Sequence, residues 1–251
     1  MNEKFKKNIL REFTFYVSHE ANPQTKLLHF HSGRQRCRKR LLEVSKKEKV
    51  AVLNYHISPD KLQILAWANS DKITTLIKNV ASSVAGDRKR FHNIEGPFWR
   101  KRYKSALVQN GVHLLRCNLT MDMTMVLQKT CTRPEEWAFS GYHEIVGIRK
   151  RYRVINCDKA AQLSGFENYA LMKIWYLEHM NAIPEITILN PEDLTTAVAV
   201  GDFEHLKLIA SCFSNKHRRR EIKLLVKDKF GSTYGLFVAQ KAKLAFSRSL
   251  K

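Results

Sequence analysis

The order of strand-like and helix-like segments over the first half of the chain constrains its fold more than any other feature. Four segments have the composition of short strands: 13–17, about 50–56, about 62–67 and near 104–109. Apolar residues repeat at helical spacing in three others: 34–48, about 71–91 and about 112–127. This order predicts an α+β fold, a ferredoxin-like (split βαβ) antiparallel sheet with helices on one face and one extra helix.

The remainder of the chain is predicted to be mainly helical. Residues 131–147 have the composition of a loop and turn, and 149–153 is a basic connector. Helices are predicted at about 158–164, 167–181, 191–213, 216–229 and, after Gly231, 233–248. The stretch 222–245 faintly resembles a helix-turn-helix, although a helical hairpin without DNA contact explains it equally well. We therefore predict two parts, 1–148 and a basic C-terminal helical region, 149–251.

The charge of the chain points to a polyanionic partner. The 251 residues include 44 Lys and Arg but only 23 Asp and Glu, which gives a formal net charge of +21. Nucleic acid is favoured over an anionic membrane surface, because the sequence has no long basic amphipathic helix with a bulky aromatic face. No segment has the length and apolarity of a membrane span or of a secretory signal, so we expect a cytoplasmic protein.

A basic and aromatic run at 98–105, Phe-Trp-Arg-Lys-Arg-Tyr-Lys-Ser, is the best candidate for nucleic-acid contact. Cations bind phosphates and aromatic faces stack on unpaired bases. The alternative is an edge strand whose aromatic residues face the core and whose charges are solvated. A second basic surface lies on the predicted helix 34–48. The candidate nucleic-acid-binding residues are Trp99, Arg100, Lys101, Arg102, Tyr103, Lys104, Arg34 and Arg38.

Metal and nucleotide motifs are absent from the sequence. It contains no phosphate-binding glycine loop and no zinc signature, and its five cysteines are scattered as isolated thiols. His29 and His31, two residues apart, could share a metal on a strand, but a pair that binds nothing is the expected outcome. We expect no metal site and no cofactor.

Several segments together resemble the single-tyrosine HUH transposases, particularly the REP-associated tyrosine transposases. They are the first strand, the two-strand segment with its Pro59 turn, the run Gly96-x-Phe-Trp-Arg-Lys-Arg-Tyr-Lys-Ser105, Leu114-Leu-Arg-Cys117, and Arg133-Pro-Glu-Glu-Trp-Ala-Phe-Ser-Gly-Tyr142. The resemblance covers 13–147 and implies that 1–148 is a transposase-like HUH-type domain. Such enzymes cut single-stranded DNA beside hairpins through a covalent tyrosine–DNA link, with a divalent cation.

The resemblance fails at the positions that carry the chemistry. The family's Met-Pro-Asn turn resembles Ser58-Pro59-Asp60, so its two metal-binding histidines correspond to Lys61 and Gln63. The family's Tyr-Ile-Glu-Leu-Asn-Pro-Val segment resembles 120–126, so Thr120 stands at the nucleophile position and Thr124 at the last metal position. A protonated lysine cannot ligate a cation, and threonine is far harder to ionise than tyrosine.

These substitutions lead to one hypothesis and two alternatives. The first is a transposase-like protein that binds single-stranded or hairpin DNA and does not cut it. Whether it forms a homodimer is not decided by the sequence. The second is an active transposase or nickase that needs Mg²⁺ and unorthodox residues, such as His29 and His31 with Tyr103 or Tyr142. The third is an RNA-binding regulator, since the same surface stacks bases of either polymer.

Overall fold

The computed structural model describes residues 12–25, 27–92, 97–181, 188–212 and 220–238. Within them, one sheet has the strand order β2-β3-β1-β4-β5-β7-β6. The strands are β1 (Phe13–Glu20), β2 (Ala51–Ile57), β3 (Lys61–Ala68), β4 (Lys104–Val108), β5 (Ala199–Gly201), β6 (Arg220–Asp228) and β7 (Gly231–Val238).

The described helices connect and cover these strands. They are α1 (His31–Glu48), α2 (Ser70–His92), α3 (Val112–Asp122), α4 (Thr124–Leu127), α5 (Tyr142–Ile145), α6 (Cys157–Ser164), α7 (Tyr169–Asn181), α8 (Pro191–Thr196) and α9 (Phe203–Cys212). Short 3₁₀ turns occupy Pro23–Thr25, Leu27–His29 and Pro134–Glu136. No helix in the described part of the chain has the length and apolarity needed to cross a membrane.

Strands β1 to β4 form the predicted ferredoxin-like core. Their spatial order, β2-β3-β1-β4 with antiparallel neighbours, is that of a split βαβ unit, so the α+β prediction is confirmed. The β2–β3 hairpin closes at Ser58, whose backbone N–H donates to the carbonyl of Lys61. Helices α1 and α2 pack against each other, and their apolar stripes are buried at Cys37, Leu41 and Leu76.

Helices cover the second face of the core as well. Tyr16 and Ser18 alternate with Val17 and His19 along β1, so the two pairs project from opposite faces. His19 stacks on Trp99, which donates its indole N–H to a carbonyl of α2. The Tyr16 hydroxyl instead lies 3.4 Å from the Thr195 hydroxyl of α8. The face that carries Tyr16 is therefore covered from the C-terminal half of the chain.

The predictions for the last third of the chain are partly wrong. Helices α6 and α7 confirm the segments predicted at 158–164 and 167–181. The predicted helix 191–213 is instead α8, β5 and α9, and the described parts of 216–229 and 233–248 are strands β6 and β7. The helix-turn-helix interpretation of 222–245 is also wrong over 222–238, which form a β-hairpin. Residues 213–219 and 239–251 lie outside the described residues.

Local features explain why these segments are not continuous helices. Asn190 and Asp202 each accept hydrogen bonds from the start of a new helix, so 191–213 contains two helix starts separated by a strand. In β6 the register shifts between Leu224 and Val226, so Leu225 is the extra residue of a β-bulge and breaks the alternation. Gly231 does not break a helix; its φ of 100° closes the β6–β7 hairpin.

The C-terminal strands extend the same sheet. β5 pairs parallel to β4 through Leu107 with Ala199 and Val108 with Val200, and β7 then pairs antiparallel to β5. The boundary near residue 148 stays a prediction, but residues on both sides of it contribute strands to one sheet.

Arg116 of α3 fixes the β6–β7 hairpin to the core. Its side chain is 1% exposed, and its guanidinium donates to the Thr233 hydroxyl, the Asp228 carboxylate and the carbonyl of Gly231. A buried cation is tolerated only with this degree of pairing. Arg116 is therefore a structural residue.

A second buried ion group, centred on Glu144, ties β2, α1 and the connector 149–155 together. The Glu144 carboxylate, fully buried, accepts hydrogen bonds from the Tyr55 hydroxyl and from the backbone N–H groups of Val154 and Ile155. The guanidinium groups of Arg38 and Arg149 lie 3.5 and 3.7 Å from it.

Replacing Arg116 with Met should destabilise the fold by about 3 kcal/mol or more, because Asp228 would lose its buried cation. Urea denaturation measures the loss, and amide hydrogen exchange should show it first in β6 and β7. The double variant Arg116→Met/Asp228→Asn should recover part of the stability. An unchanged urea midpoint in the single variant would contradict the anchoring role.

Candidate nucleic-acid interface

A row of polar side chains crosses the four strands of the core and includes Gln63, one of the positions that the sequence analysis discusses. The strand registers place Lys104 opposite Ser18, Ser18 opposite Gln63, and Gln63 opposite His56. Lys61 lies two residues before Gln63 on β3, so the two side chains project from the same face of the sheet.

Gln63 is used inside the protein. Its side chain is 2% exposed, and its amide Nε2 donates to the Tyr16 hydroxyl over 2.6 Å. Burial raises the pKa of Tyr16 above its ordinary value, so the phenol stays protonated. The Gln63 Oε1 and the Ser18 hydroxyl are buried without a hydrogen-bond partner among the described residues.

Lys61 is partly exposed at the start of β3. Its Nζ lies 3.6 Å from a carboxylate oxygen of Asp60, and that carboxylate also accepts a hydrogen bond from the Ser58 hydroxyl. The ammonium therefore places a positive charge at this end of the row.

The two threonines on α3 and α4 have their hydroxyls engaged. The Thr120 hydroxyl donates to the carbonyl of Arg116 over 2.7 Å and accepts from the backbone N–H of Leu189 over 3.0 Å. The Thr124 hydroxyl donates to the carbonyl of Thr120 over 3.0 Å. Both side chains are buried. Because Leu189 comes from the segment before α8, the C-terminal half of the chain closes over Thr120.

His56 belongs to this row, and the sequence interpretation missed it. Its imidazole is fully buried, stacks on Trp137 at 6.2 Å between ring centroids, and has no hydrogen-bond partner for either nitrogen among the described residues. Burial lowers the pKa of His56 to about 3. A pairing count across the Ser58-Pro59-Asp60 turn would have placed it opposite Gln63.

A buried carboxyl also lies on this face, at the end of α3. Asp122 accepts hydrogen bonds from the Tyr176 hydroxyl, the Asn54 amide and the backbone N–H of Tyr142. Burial outweighs these donors and raises the pKa of Asp122 to about 7. All of its contacts join structural elements, so Asp122 serves to hold α3, β2 and α7 together.

The basic strip, which we define as Arg100, Lys101, Arg102 and Lys104, is exposed to solvent. It borders a cavity of about 150 Å³ whose other lining residues are Ser18 and Glu20. Arg100 lies 4.0 Å from the Glu20 carboxylate, the one acidic group of this lining. The strip therefore presents concentrated positive charge at the end of β1, beside the polar row.

The aromatic residues of the run at 98–105 point inward. Phe98 is buried, and Trp99 stacks on His19 with ring centroids 4.1 Å apart. The Tyr103 hydroxyl lies 3.2 Å from the Thr74 hydroxyl of α2. Trp99 and Tyr103 are half-buried, so the alternative in which aromatics pack and cations are solvated describes this run well.

Arg34 and Arg38 are also engaged within the protein. Arg34 donates to the carbonyls of Leu28 and His29, and its guanidinium lies 4.9 Å from the ring centroids of Trp137 and Phe139. Arg38 donates to the carbonyl of Tyr152 and faces Glu144. Neither arginine lies in the basic strip.

The histidine pair at 29 and 31 does not lie on a strand. His29 ends a 3₁₀ turn and His31 begins α1, where its ring contacts that of Phe139. In the described residues, no group of three or more His, Cys, Asp or Glu side chains is arranged to hold a metal ion. The structure thus does not bring the two histidines together with a carboxylate.

Neither a family model nor a curated protein matches this sequence. Among solved structures, the fold is similar to that of a REP-associated tyrosine transposase bound to a REP hairpin, with a TM-score of 0.44 and 13% identity, over 54% of this chain and 79% of that one. It is also similar to a candidate transposase from Deinococcus radiodurans R1, with a TM-score of 0.34 and 9% identity, over 48% of this chain and 92% of that one.

Acidification should destabilise the protein through His56. Because its folded pKa of about 3 lies below the unfolded value near 6.5, protons bind the unfolded chain first as the pH falls. Between pH 7 and pH 5 the free energy of unfolding should fall by about 2 kcal/mol more in the natural protein than in His56→Phe, which keeps the stacking on Trp137. Parallel pH profiles for the two proteins in urea denaturation would contradict the neutral, buried imidazole.

Proposed function

We propose that this chain is a transposase-like DNA-binding protein that holds single-stranded or hairpin DNA and does not cut it. The observation that carries the proposal is the environment of Thr120, at the family's nucleophile position. Its hydroxyl is buried and hydrogen-bonded on both sides, to Arg116 and to Leu189. An attacking group must reach the scissile phosphorus, and this hydroxyl is enclosed by protein.

The other three positions support the same proposal. Lys61 brings a positive charge, Gln63 is committed to Tyr16, and Thr124 is committed to the α3 backbone. A metal-binding cradle needs several groups with free lone pairs converging on one point. Of these three side chains, only Gln63 offers an oxygen, Oε1, that has no hydrogen-bond partner among the described residues, and one ligand does not make a cradle. In this proposal the strands and helices of the family fold are kept, and the polar groups of Gln63, Thr120 and Thr124 make hydrogen bonds within the protein.

The basic strip supplies the proposed contact with DNA. Its four cations point into solvent along one edge, so they can approach successive phosphates of a backbone. Trp99 and Tyr103 then act as the rigid support of the strip, and Arg34 and Arg38 as supports of the scaffold. We propose that the cations of the basic strip are the principal phosphate contacts, and that Trp99, Tyr103, Arg34 and Arg38 are not.

Removing the strip should reduce the salt dependence of DNA binding. Each phosphate contact to single-stranded DNA contributes about −0.7 to the slope of log K against log salt, so replacing all four residues with Ala should lower the slope by up to about 3. A matched variant with Lys129, Lys207, Lys223 and Lys227 replaced by Ala loses the same charge from other exposed sites. Equal slopes for the two variants, measured by fluorescence anisotropy, would contradict a specific role of the strip.

A labelled hairpin oligonucleotide incubated with Mg²⁺ or Mn²⁺ should be bound but not cut. Denaturing gels should show no covalent protein–DNA product, while native gels of the same mixture show the complex. A covalent product would refute the non-cutting proposal. Its loss in Tyr103→Phe or Tyr142→Phe would identify the substitute nucleophile.

A further inference from the structure

The connector between α5 and α6 carries the most exposed large hydrophobic residue among those that the structure describes. The Tyr152 side chain is 76% exposed and makes no ring contact with another described residue. Its φ is 52°, in the left-handed region that a bulky residue rarely adopts. Such backbone conformations persist only where the surrounding structure enforces them, and they concentrate at functional sites.

The structure enforces this conformation from both sides. Arg38 donates to the carbonyl of Tyr152 over 3.0 Å. Before it, the Arg149 guanidinium donates to the Tyr55 hydroxyl and to the carbonyl of Ala138. After it, the backbone N–H groups of 154 and 155 donate to the buried Glu144 carboxylate. The aromatic ring therefore projects from a fixed base, which reduces the ordering cost of any contact it makes.

Positive charge is concentrated on the connector that carries the ring and on the neighbouring end of α1. Five exposed cations lie on the connector and on the end of α1, and none forms an ion pair within the described residues: Lys46, Lys49, Lys150, Arg151 and Arg153. Two acidic residues lie among these cations: Asp158, in the lining of the adjoining groove, and Glu48, whose carboxylate accepts a hydrogen bond from Asn79. Cations next to an exposed aromatic face are the arrangement that binds unpaired bases with their phosphates.

A groove whose lining includes Arg153, the residue after Tyr152, is large enough for a nucleotide. It measures about 510 Å³ and runs between the end of α1, the start of β2 and residues 153–158. Lys46, Lys49 and Arg153 lie in its wall, together with the apolar side chains of Val50 and Val52. A groove with cations at its rim and apolar groups inside suits a base and its attached phosphate.

We propose that Tyr152 stacks on an unpaired base of single-stranded DNA and that the adjoining groove takes the next nucleotide. This nucleic-acid assignment rests on the proposed function, but the site is a different one. From Lys104 on β4 to the first residue of β2 is about 13 Å along the strands and about 14 Å across three strand spacings. The Tyr152 site and the basic strip thus lie roughly 20 Å apart and can be altered independently.

Tyr152→Gly tests the stacking without straining the fold. Glycine adopts a positive φ freely, so the melting temperature should not fall. Binding of a single-stranded oligonucleotide should weaken about tenfold, while binding of a blunt duplex of the same sequence should not change. Tyr152→Trp should keep the tight binding, and Leu208→Ala, a similarly exposed apolar position on α9, should have no effect.

The oligonucleotide should carry one 2-aminopurine, whose fluorescence falls when it stacks. Quenching on binding is expected with the natural protein and with Tyr152→Trp, and its loss with Tyr152→Gly. Equal affinity and equal quenching for Tyr152→Gly and the natural protein would overturn the proposal. If neither oligonucleotide nor duplex binds to the natural protein, the proposed function and this site both fail.

The test separates the site from the basic strip and from a lipid surface. If the strip variant loses binding while Tyr152→Gly keeps both affinity and quenching, only the site proposed here fails. Vesicles containing phosphatidylserine should not displace the oligonucleotide. Any binding of these vesicles should be equal for Tyr152→Gly and the natural protein. Vesicle binding that depends on Tyr152, with oligonucleotide binding unaffected, would assign the loop to a membrane and overturn the proposal.

Discussion

The buried carboxylate of Glu144 is the contact on which the arrangement of this molecule most depends. A charge at 0% exposure is costly unless it is paired, and Glu144 meets two arginines, a phenol and two backbone N–H groups. Those partners come from α1, β2 and the connector 149–155. One neutralised charge therefore sets how the connector leaves the core, and hence where Tyr152 projects.

The fold of the core could be predicted from sequence because its signals are local. The Ser58-Pro59-Asp60 turn, the apolar stripe of α2 and the strand composition of β1 each act within a few residues. The C-terminal hairpin could not be predicted in this way. Its bulge at Leu225 interrupts the two-residue alternation of a strand, and the adjacent apolar residues Leu224 and Leu225 then resemble a helical pattern. β5 is only three residues long, so it has no recognisable sequence pattern and is a strand because it pairs with β4.

The candidate site was predicted in part. The resemblance directed attention to 61, 63, 120 and 124. Their correspondence to family positions stays a prediction, while the registers and helix contacts put them on one face of the core. What no local pattern contained was the closure of that face by Leu189 and Thr195, some seventy residues beyond α3. Likewise, the alternation of cations and aromatics at 98–104 could not reveal that Trp99 stacks on His19, because this contact joins distant segments.

The parallel junction of β4 with β5 has a consequence for synthesis. Residues 107 and 199 are hydrogen-bonded neighbours although about ninety positions separate them, so the ribosome must release β5 before the outer edge of β4 acquires its partner. During that interval Leu107 and Val108 stand at an open strand edge in the nascent chain, a template for wrong pairing between molecules. The lysine that opens β4 and the arginines before it lie beside this edge, where charged side chains oppose edge-to-edge pairing.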